Sequence, residues 1–401
     1  MKVLQINSVY CKGSTGLITY QLHRYYLVSN IDSYVVFGRN GKSIESNVFK
    51  CTTELESNIH HFVSNIFDNP YGGCFFGTQR LIRIIKRIKP DIVHIHCING
   101  YFVNIYSLLK YLGKHNIKTV LTNHGEFYYT GNCGSSFECS KFIEGCHKCP
   151  HIKDFNGKFS LDNTKNNYKK MKKAFSYFDS NNICITNVSD WVKYRSISSS
   201  ILKPFKHVTV LNGINTDEFI YHNIEDTRKE LSLPLDKNVY TFICSNWNEN
   251  SKKEYFIQLA NNCSDSIFVV IGAPKDAILP KNVINVGYIY NRKTLSKYLS
   301  TSDALISLSK RETFSLPVAE ALCSGTPVIG FLSGGPETIG IKEYCQFVEY
   351  GNIDELRRLL QTEYKFDRKL ISTEARKLYS INRMADGYLN VYHSLLDDYG
   401  K

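Results

Sequence analysis

Two glutamates, Glu312 and Glu320, stand eight positions apart between two strand-like apolar runs, 303–309 and 327–331. A carboxylate accepts hydrogen bonds at two oxygens, so it suits the neighbouring hydroxyls of a ribose or a hexose. The spacing therefore raises the hypothesis of a site for a sugar nucleotide. For two isolated glutamates, a loop charge and a helix-start charge would be the simpler interpretation, but the surrounding sequence favours a site.

The sequence around these glutamates predicts one strand–loop–helix–strand unit over residues 303–331. Pro317 suits the first turn of a helix, and Gly325 suits the left-handed position just after its end. Glu312 is then expected in the loop at the carboxyl end of its strand. Glu320 is expected on the following helix, close to its start, where the helix dipole favours negative charge.

Length and composition indicate a folded chain of two domains. The chain has 401 residues, of which 43% are hydrophobic and 21% charged, which argues against disorder. The formal net charge of +12 suggests an anionic partner: a nucleic acid, a phosphorylated substrate or an acidic lipid. A basic, solvated surface would give the same composition.

The compartment is expected to be the cytoplasm, with a peripheral position at the inner face of the cell membrane as a further expectation. Residues 1–7 resemble a short strand rather than a signal peptide, and we find no run of about 18 apolar residues. The odd number of cysteines, 13, fits reduced thiols better than a disulfide framework.

Strands and helices alternate along the chain in two series, which predicts α/β architecture with parallel sheets. We expect two doubly wound, Rossmann-like domains that face each other across a cleft, with ligands at the carboxyl ends of the strands. The N-terminal, acceptor-side domain is expected at 1–205, with a cysteine-rich insertion at 131–150. The nucleotide-sugar domain is expected at 206–384, after a hinge at 203–215. The C-terminal helix, 385–401, is expected to pack back on the N-terminal domain.

The element from Glu312 to Glu320, followed by Ala321 and by Pro327-Val328, resembles the Glu-x7-Glu element of retaining glycosyltransferases of family 4. These enzymes adopt the two-domain GT-B fold. Other segments are similar to a subgroup that builds bacterial surface polysaccharides of the colanic acid, O-antigen (lipopolysaccharide) or capsule type. Outside the element at 312–328, the resemblance rests on residues 12–16, 90–96, 123–125, 130–133, 145–150 and 212–215.

The resemblance implies roles for individual residues. Glu320 would hold the ribose hydroxyls, and Glu312 would contact the donor sugar near its reacting end. His124 would line the site beside that sugar, so Glu312 and His124 are the candidate catalytic residues. Either Lys252 or Lys253 would neutralise the diphosphate. The donor phosphates or the acceptor are expected to lie against Gly13, Ser14, Thr15 and Gly16. The donor is also expected to contact Phe314, Ser315, Gly334 and Gly335.

The implied reaction moves a sugar from a UDP- or GDP-sugar donor to a glycan acceptor, such as a lipid-linked oligosaccharide, with retained anomeric configuration. It would need no catalytic divalent metal. One alternative keeps the fold but changes the reaction to that of a sugar-nucleotide epimerase or a phosphorylase. Another class is a zinc-containing nucleic-acid-binding protein, which is less favoured because the basic residues are spread over many helices. We therefore expect no nucleic-acid partner.

Four cysteines within seventeen residues form a candidate structural zinc site, because thiols in a reducing compartment bind zinc more readily than they form disulfides. His147 or His151 could replace one thiolate. The alternative to a zinc site is a loop with buried, unreactive thiols, because only one pair of the four cysteines has Cys-x2-Cys spacing. The four residues are Cys133, Cys139, Cys146 and Cys149.

Two further patterns have plain interpretations. His94 and His96 alternate along a strand, and we expect them on opposite faces as buried, hydrogen-bonded side chains. Tyr168, Met171 and Phe175 lie among lysines in a basic amphipathic stretch. This stretch is either a solvated helix face or a surface that rests on anionic lipid.

Overall fold

The computed structural model describes residues 1–41, 45–136, 138–152, 161–244, 246–247, 250–363 and 365–397. Contacts divide the chain into two compact units. Unit 1 contains Met1–Leu211 together with Met384–Lys401, and unit 2 contains Asn212–Arg383. The chain therefore leaves unit 1 once and returns to it for its last helix.

Unit 1 is built on one parallel sheet. Its strands are β1 (Lys2–Asn7), β2 (Asp32–Phe37), β3 (Val48–Lys50), β4 (Ile92–Ile95), β5 (Thr119–Asn123), β6 (Ile183–Asn187) and β7 (Lys206–Thr209). Their order is β3-β2-β1-β4-β5-β6-β7. The order reverses beside β1, which pairs with β2 on one side and with β4 on the other. Ligands of doubly wound sheets bind at the carboxyl ends of the strands at such a point.

Helices connect these strands, and several begin at a residue whose side chain caps the helix. Thr53, Asn104 and Ser189 each accept a hydrogen bond from an amide of the first turn. The helices are α1 (Gly13–Val28), α2 (Glu54–Phe67), α3 (Phe75–Ile88), α4 (Ile105–Lys114), α5 (Thr164–Phe175) and α6 (Asp190–Ser198).

The basic amphipathic stretch is α5, and its apolar side chains belong to the core of unit 1. Tyr168, Met171 and Phe175 are buried there, while the lysines face solvent. The structure thus shows a helix with a solvent-exposed row of lysines, and contact of these lysines with anionic lipid stays a prediction.

Unit 2 contains a second parallel sheet. Its strands are β8 (Val239–Ile243), β9 (Ile267–Ile271), β10 (Val283–Gly287), β11 (Ala304–Ser307), β12 (Val328–Phe331) and β13 (Cys345–Val348). The order is β10-β9-β8-β11-β12-β13, so it reverses between β8 and β11. The expected fold class, two Rossmann-like α/β domains with parallel sheets, is confirmed.

The remaining helices of the described chain flank the second sheet or follow it. They are α7 (Ile224–Glu230), α8 (Asn250–Asn262), α9 (Arg292–Ser300), α10 (Leu316–Cys323), α11 (Gly335–Ile339), α12 (Ile353–Gln361), α13 (Arg368–Leu378) and α14 (Ile381–Asp397). Single 3-10 turns lie at Lys141–Ile143, Ser180–Asn182 and Lys342–Tyr344. Within the described ranges, none of the helices combines the length and the hydropathy that crossing a bilayer requires.

The last helix, α14, packs in unit 1 through buried tyrosines. The hydroxyl of Tyr392 lies 2.6 Å from Nδ1 of His94 and 3.1 Å from the hydroxyl of Tyr26. Tyr388 is also fully buried and contacts the ring of His94 at a centroid distance of 4.6 Å. The helix thus satisfies buried polar groups of unit 1 as well as covering apolar surface.

Candidate functional site

Glu312 lies in the loop between β11 and α10, as the sequence predicts, and both its main chain and its side chain are held. Its amide donates to Ser333 O at 2.9 Å, and its carbonyl accepts from Gly335 N at 2.8 Å. The hydroxyl of Ser309 donates to Oε1 of Glu312 at 2.9 Å. The loops after β11 and β12 are therefore joined at this glutamate.

Glu320 lies on α10, as predicted, but it is the fifth residue of this helix and not in the first turn, where the helix dipole would favour its charge; its side chain is buried. Nη2 of Arg292 donates to its Oε1 at 2.5 Å, and the guanidinium of Arg292 lies 5.0 Å from the ring centre of Phe219. Burial raises the pKa of Glu320, and the charge of Arg292 opposes this shift. A buried carboxylate with a perturbed pKa and a specific charged partner is a candidate for a functional site.

Two partners of the glutamates, Arg292 and Ser309, were not predicted from the sequence. Arg292 opens α9 and is 28 positions away from its partner Glu320, so spacing gives no signal for the pair. Ser309 is three positions before Glu312, and a serine at that distance from a loop carboxylate is a weak signal that could have been used.

The start of α10 is conformationally demanding. Ser315 precedes the helix with a φ of 75°, which is unusual for a residue other than glycine and costs energy. Phe314 is buried edge-on to Tyr379 at a ring distance of 6.3 Å. Pro317 lies in the first turn and Gly325 follows the helix with a φ of 80°, as predicted.

The glycine loop after β12 has its amides occupied within the protein. The N–H groups of Ser333 and Gly334 donate to the carboxylate of Glu337 at 3.2 and 2.7 Å. At Gly335, a Cβ would meet the backbone of Thr313 at 2.4 Å, so only glycine fits. A phosphate at these amides would have to displace Glu337.

Lys252 and Lys253 both lie in the first turn of α8, and both are partly buried. This helix follows β8, the strand that pairs with β11 in the centre of the second sheet. The two lysines therefore follow β8 and the loop of Glu312 follows β11, the two strands between which the strand order of the second sheet reverses. Both lysines remain candidates for the diphosphate.

In unit 1, residues 13–16 begin α1 directly after β1. Nδ2 of Asn7, the last residue of β1, lies 3.4 Å from the hydroxyl of Thr15, and Oδ1 of Asn7 accepts from Cys97 N at 3.0 Å. Gly13 has a φ of 63°, and a Cβ there would point into open space. Asn7 thereby ties the loops after β1 and β4 together. Gly13 and Ser14 are exposed, and Gly16 is buried.

His124 follows β5 and is part of a chain of hydrogen-bonded side chains. Its Nε2 lies 3.2 Å from Nδ1 of His96, whose Nε2 lies 3.1 Å from Oε1 of Gln5. Burial lowers the pKa of His124 to about 4, and burial also holds the pKa values of His94 and His96 well below the usual value. At neutral pH His124 is therefore an uncharged hydrogen-bonding group.

The expectation that His94 and His96 face opposite sides of β4 is wrong. Residues two positions apart in a strand point to the same face. Their ring centroids are 3.9 Å apart. Both are buried and hydrogen-bonded, as expected: Nε2 of His94 lies 2.7 Å from the hydroxyl of Thr122.

The cysteine-rich segment is held against the residues that follow His124. The amide of Glu126 donates to Gly134 O at 2.9 Å. The carboxylate of Glu126 is buried and forms a salt bridge of 2.6 Å with Nε of Arg195. Glu126 also accepts from Ser136, so this glutamate holds the first part of the segment, at Gly134 and Ser136.

Four cysteine side chains line one small cavity of about 20 Å³, the volume of a single water or ion. A hydrogen bond from the thiol of Cys133 lowers the pKa of Cys149 to about 7, and Gly131 N donates to the sulfur of Cys146 at 3.2 Å. Among the described residues, no three histidine, cysteine or acidic side chains are arranged to hold a metal ion. The zinc site therefore stays a prediction. The four lining residues are Cys133, Cys139, Cys146 and Cys149.

Two protein families match this chain in succession. The model of Glycosyltransferase Family 4 matches residues 17–218, and that of Glycosyl transferases group 1 matches residues 229–375. Because the first match alone spans half of the chain, the protein belongs to the glycosyltransferases that these models describe.

Individual relatives agree with this assignment. A protein of Escherichia coli K12 with the provisional name colanic acid biosynthesis glycosyl transferase WcaC is 22% identical, over 98% of this chain and all of the relative. Sucrose-phosphate synthase of Thermosynechococcus elongatus has a TM-score of 0.66 at 14% identity, covering 99% of this chain and all of the other. HepE of Anabaena, solved with UDP, has a TM-score of 0.66 at 12% identity, covering 98% of this chain and all of HepE. The similarity to these structures shows that this chain has the GT-B fold.

Proposed function

We propose that this glycosyltransferase uses a nucleotide sugar, a UDP- or GDP-sugar, and retains the configuration of the anomeric carbon. The observation that supports this proposal is a pair of held glutamates in one strand–loop–helix unit. Glu320 is buried on α10 with a raised pKa, and Glu312 is anchored in the loop that precedes this helix. The carboxylate of Glu320 binds the ribose, exchanging its bond with Arg292 for bonds to the two hydroxyls. Glu312 contacts the sugar that is transferred.

The charge of the leaving nucleoside diphosphate is balanced by cationic side chains and backbone amides. Lys252 or Lys253, in the first turn of α8, supplies a cation, and the amides at the start of this helix favour an anion. Preorganised donors of this kind stabilise the charge that develops on the leaving oxygen. We propose that no catalytic divalent metal is required. HepE, with the same fold, was solved with UDP and with UDP-glucose, which supports this donor class.

The proposed acceptor is a glycan, specifically a lipid-linked intermediate of a bacterial surface polysaccharide. The WcaC relative, with a name that refers to colanic acid biosynthesis, supports this class of product. The reaction is then placed on the cytoplasmic side of the cell membrane, where nucleotide sugars are available. An epimerase, a phosphorylase or a nucleic-acid-binding protein is not favoured by any of the relatives.

The first test is a thermal-shift screen of the full chain with UDP, GDP, ADP and the sugar conjugates of UDP and GDP. A ligand that binds only the folded state raises the unfolding temperature, by an amount that grows with its concentration above Kd. We expect a shift with one nucleotide class and its sugars, unchanged by EDTA. Absence of a shift with every nucleotide and conjugate at millimolar concentration contradicts the proposed donor site.

The second test follows the donor that gives the shift. The purified protein is incubated with that donor alone and with a lipid-linked glycan acceptor, and the products are analysed by NMR. An acceptor-dependent product with the anomeric configuration of the donor is expected. Conversion of the donor without acceptor into another sugar nucleotide would instead identify an epimerase, and an inverted linkage would refute retention.

A further inference from the structure

The helix α2 of unit 1 is oriented with its apolar side chains outward. Its buried residues are polar: Ser57, His60 and Ser64. An amphipathic helix of a folded domain normally buries its apolar stripe, so this orientation is the reverse of the usual one. The outward side chains on α2 are between 40% and 71% exposed and belong to Leu55, Ile59, Phe62, Val63 and Ile66.

The reversed orientation is fixed by hydrogen bonds on the inner side of the helix. Ser57 donates to Tyr101 O at 2.8 Å, and Nε2 of His60 lies 3.1 Å from Asn69 O. Ser57 and His60 thus replace the apolar contacts that normally anchor a helix. The exposed side chains therefore point outward because specific partners hold the opposite side of the helix.

The apolar surface continues onto the start of α3. Phe75 and Phe76 are 67% and 64% exposed, with their rings 5.7 Å apart. Glu56 of α2 accepts from Gly77 N at 3.0 Å, which joins α2 directly to this end of α3. We call the exposed residues of α2 together with Phe75 and Phe76 the apolar face. An apolar surface of this extent on a soluble protein marks an interaction site.

Positive charge extends from the apolar face along α3. Phe76, Arg80, Arg83 and Arg87 are spaced by four, three and four positions, so they share one side of the helix. All three arginines are exposed. A partner that fits both surfaces must offer apolar material beside negative charge.

An anionic bilayer has this combination, since its acyl chains lie directly beneath a layer of phosphates. A second copy of the chain fits less well. Pairing of two copies through the apolar face would cover the apolar side chains, but this face supplies no negative charge for the arginines. Helix α2 has 14 residues, about 21 Å in length, which suits a helix lying in the plane of the interface.

We propose that the apolar face inserts into the surface of an anionic membrane, with the arginines of α3 among the lipid headgroups. This inference rests on the proposed function in one respect only: a lipid-linked acceptor gives the enzyme a reason to be at a membrane. The surface itself is defined by unit 1 and does not involve the donor site in unit 2.

Co-sedimentation with vesicles tests the proposal, in the absence of donor and acceptor. Vesicles of phosphatidylglycerol with phosphatidylcholine are compared with phosphatidylcholine alone, at 50 and 500 mM salt. We expect binding to the anionic vesicles that weakens with salt. The variant Ile59→Gln/Phe62→Gln is expected to bind at least tenfold more weakly, and Arg83→Gln/Arg87→Gln to lose most of the salt dependence.

Matched controls remove equivalent side chains elsewhere. Leu235→Gln/Ile278→Gln changes two exposed apolar residues of unit 2, and Lys165→Gln/Lys169→Gln removes two exposed charges from α5. Both controls are expected to bind as the parent protein does. All substituted residues are exposed or partly exposed, so circular dichroism and thermal melting should show parent-like folding.

Three outcomes would overturn the inference: no binding to anionic vesicles at low salt, equal loss in the control variants, or an apolar-face variant that binds normally. A dimer in solution that dissociates in Ile59→Gln/Phe62→Gln, without vesicle binding, would assign the face to a second copy instead. Nucleotide thermal shifts measured on the same variants separate the two proposals. Lost vesicle binding with unchanged shifts supports the membrane face, while absent shifts with intact binding refute only the donor proposal.

Discussion

At the scale of single residues, the two glutamates differ in surroundings, and this difference predicts different consequences of removing them. Glu320 is buried against Arg292, whereas Glu312 is anchored through the loop backbone and Ser309. If Glu320 binds the donor as proposed, Glu320→Ala is expected to cost about 1.5–3 kcal/mol, or about 10- to 150-fold in donor affinity. Glu312→Ala is expected to lower kcat with a smaller change in affinity.

Calorimetric titration of the donor and steady-state kinetics measure these effects. Glu225→Ala, at an exposed glutamate of α7 paired with Lys229, serves as the matched control and should leave both values unchanged. If both site variants fold and show parent-like affinity and turnover, the assignment of the two glutamates is refuted.

His124 gives a prediction on pH dependence. Its pKa of about 4 in the folded protein lies below the value near 6.5 of an unfolded histidine. Between these two values the unfolded chain binds the proton more readily, so stability falls as pH decreases from about 6.5 to about 4. His124 alone should account for roughly 2 kcal/mol of this loss, with allowance for its partial exposure.

Urea unfolding at a series of pH values measures this slope. In His124→Gln the slope between pH 6.5 and 4 should become smaller, while His115→Gln, at an exposed histidine, should keep the parent slope. An NMR titration that places the His124 pKa near 6.5 would contradict the prediction. Above pH 6.5, activity should not depend on the protonation of His124.

At the scale of elements, the sequence predicted features that depend on single residues, such as the two ends of α10. Pro317 and Gly325 bracket α10 because a fixed φ and a positive φ are properties of single residues. The partner of Glu320 could not be predicted, because Arg292 is brought to it by the packing of α9. The outward apolar side of α2 was missed for a related reason: helical periodicity identifies an apolar stripe but not which way it faces.

The loop that carries Glu312 depends on close backbone approach. Gly335→Ala would place a methyl group 2.4 Å from the backbone of Thr313, so the two loops must separate. We expect a loss of about 1–3 kcal/mol in stability and a weaker thermal shift with the donor. Gly134→Ala, where a Cβ meets no atom within 4 Å, is the control. Parent-like melting and donor response in Gly335→Ala would show that the loops are not coupled in this way.

For the cysteine-rich segment we propose a structural zinc ion that is not involved in the chemical step. The four thiolates line one cavity, and because no three of these described side chains are arranged to hold a metal ion, zinc binding would have to draw them together. Protein purified without added zinc should contain about one zinc per chain, and Cys146→Ser should release it and lower the melting temperature. Cys11→Ser, at an exposed cysteine of unit 1, should retain the metal. A zinc content well below one per chain, with the four thiols titrating as free thiols, would refute the zinc site.

At the scale of the whole molecule, the alternation of strands and helices was sufficient to predict two doubly wound sheets, because crossover connections leave few parallel arrangements. From the sequence, the C-terminal helix is expected to pack back on the N-terminal domain, but the side chains that make the contact are not predicted. The buried tyrosines of α14 meet β4 and α1, at His94 and Tyr26, more than 290 positions earlier in the chain. No local pattern reports contacts over such a separation.

Deletion of residues 384–401 is therefore expected to destabilise unit 1, although the deleted residues follow unit 2 in the sequence. The deletion exposes apolar surface and leaves Nδ1 of His94 buried without its tyrosine partner, which costs several kcal/mol in total. Differential scanning calorimetry should show a lower unfolding temperature or aggregation. Truncation after Asp397 is the control, and equal melting of both forms would contradict the role of α14.

The return of the chain to unit 1 has a consequence for biosynthesis. The N-terminal part of unit 1 is synthesised first, yet the last helix of that unit is synthesised only after unit 2. Unit 2, a continuous segment from Asn212 to Arg383, has all of its residues available earlier. Unit 1 therefore stays incomplete while unit 2 is translated, and the surface that α14 covers is exposed during this time. A nascent chain of this protein is expected to bind chaperones until that helix arrives.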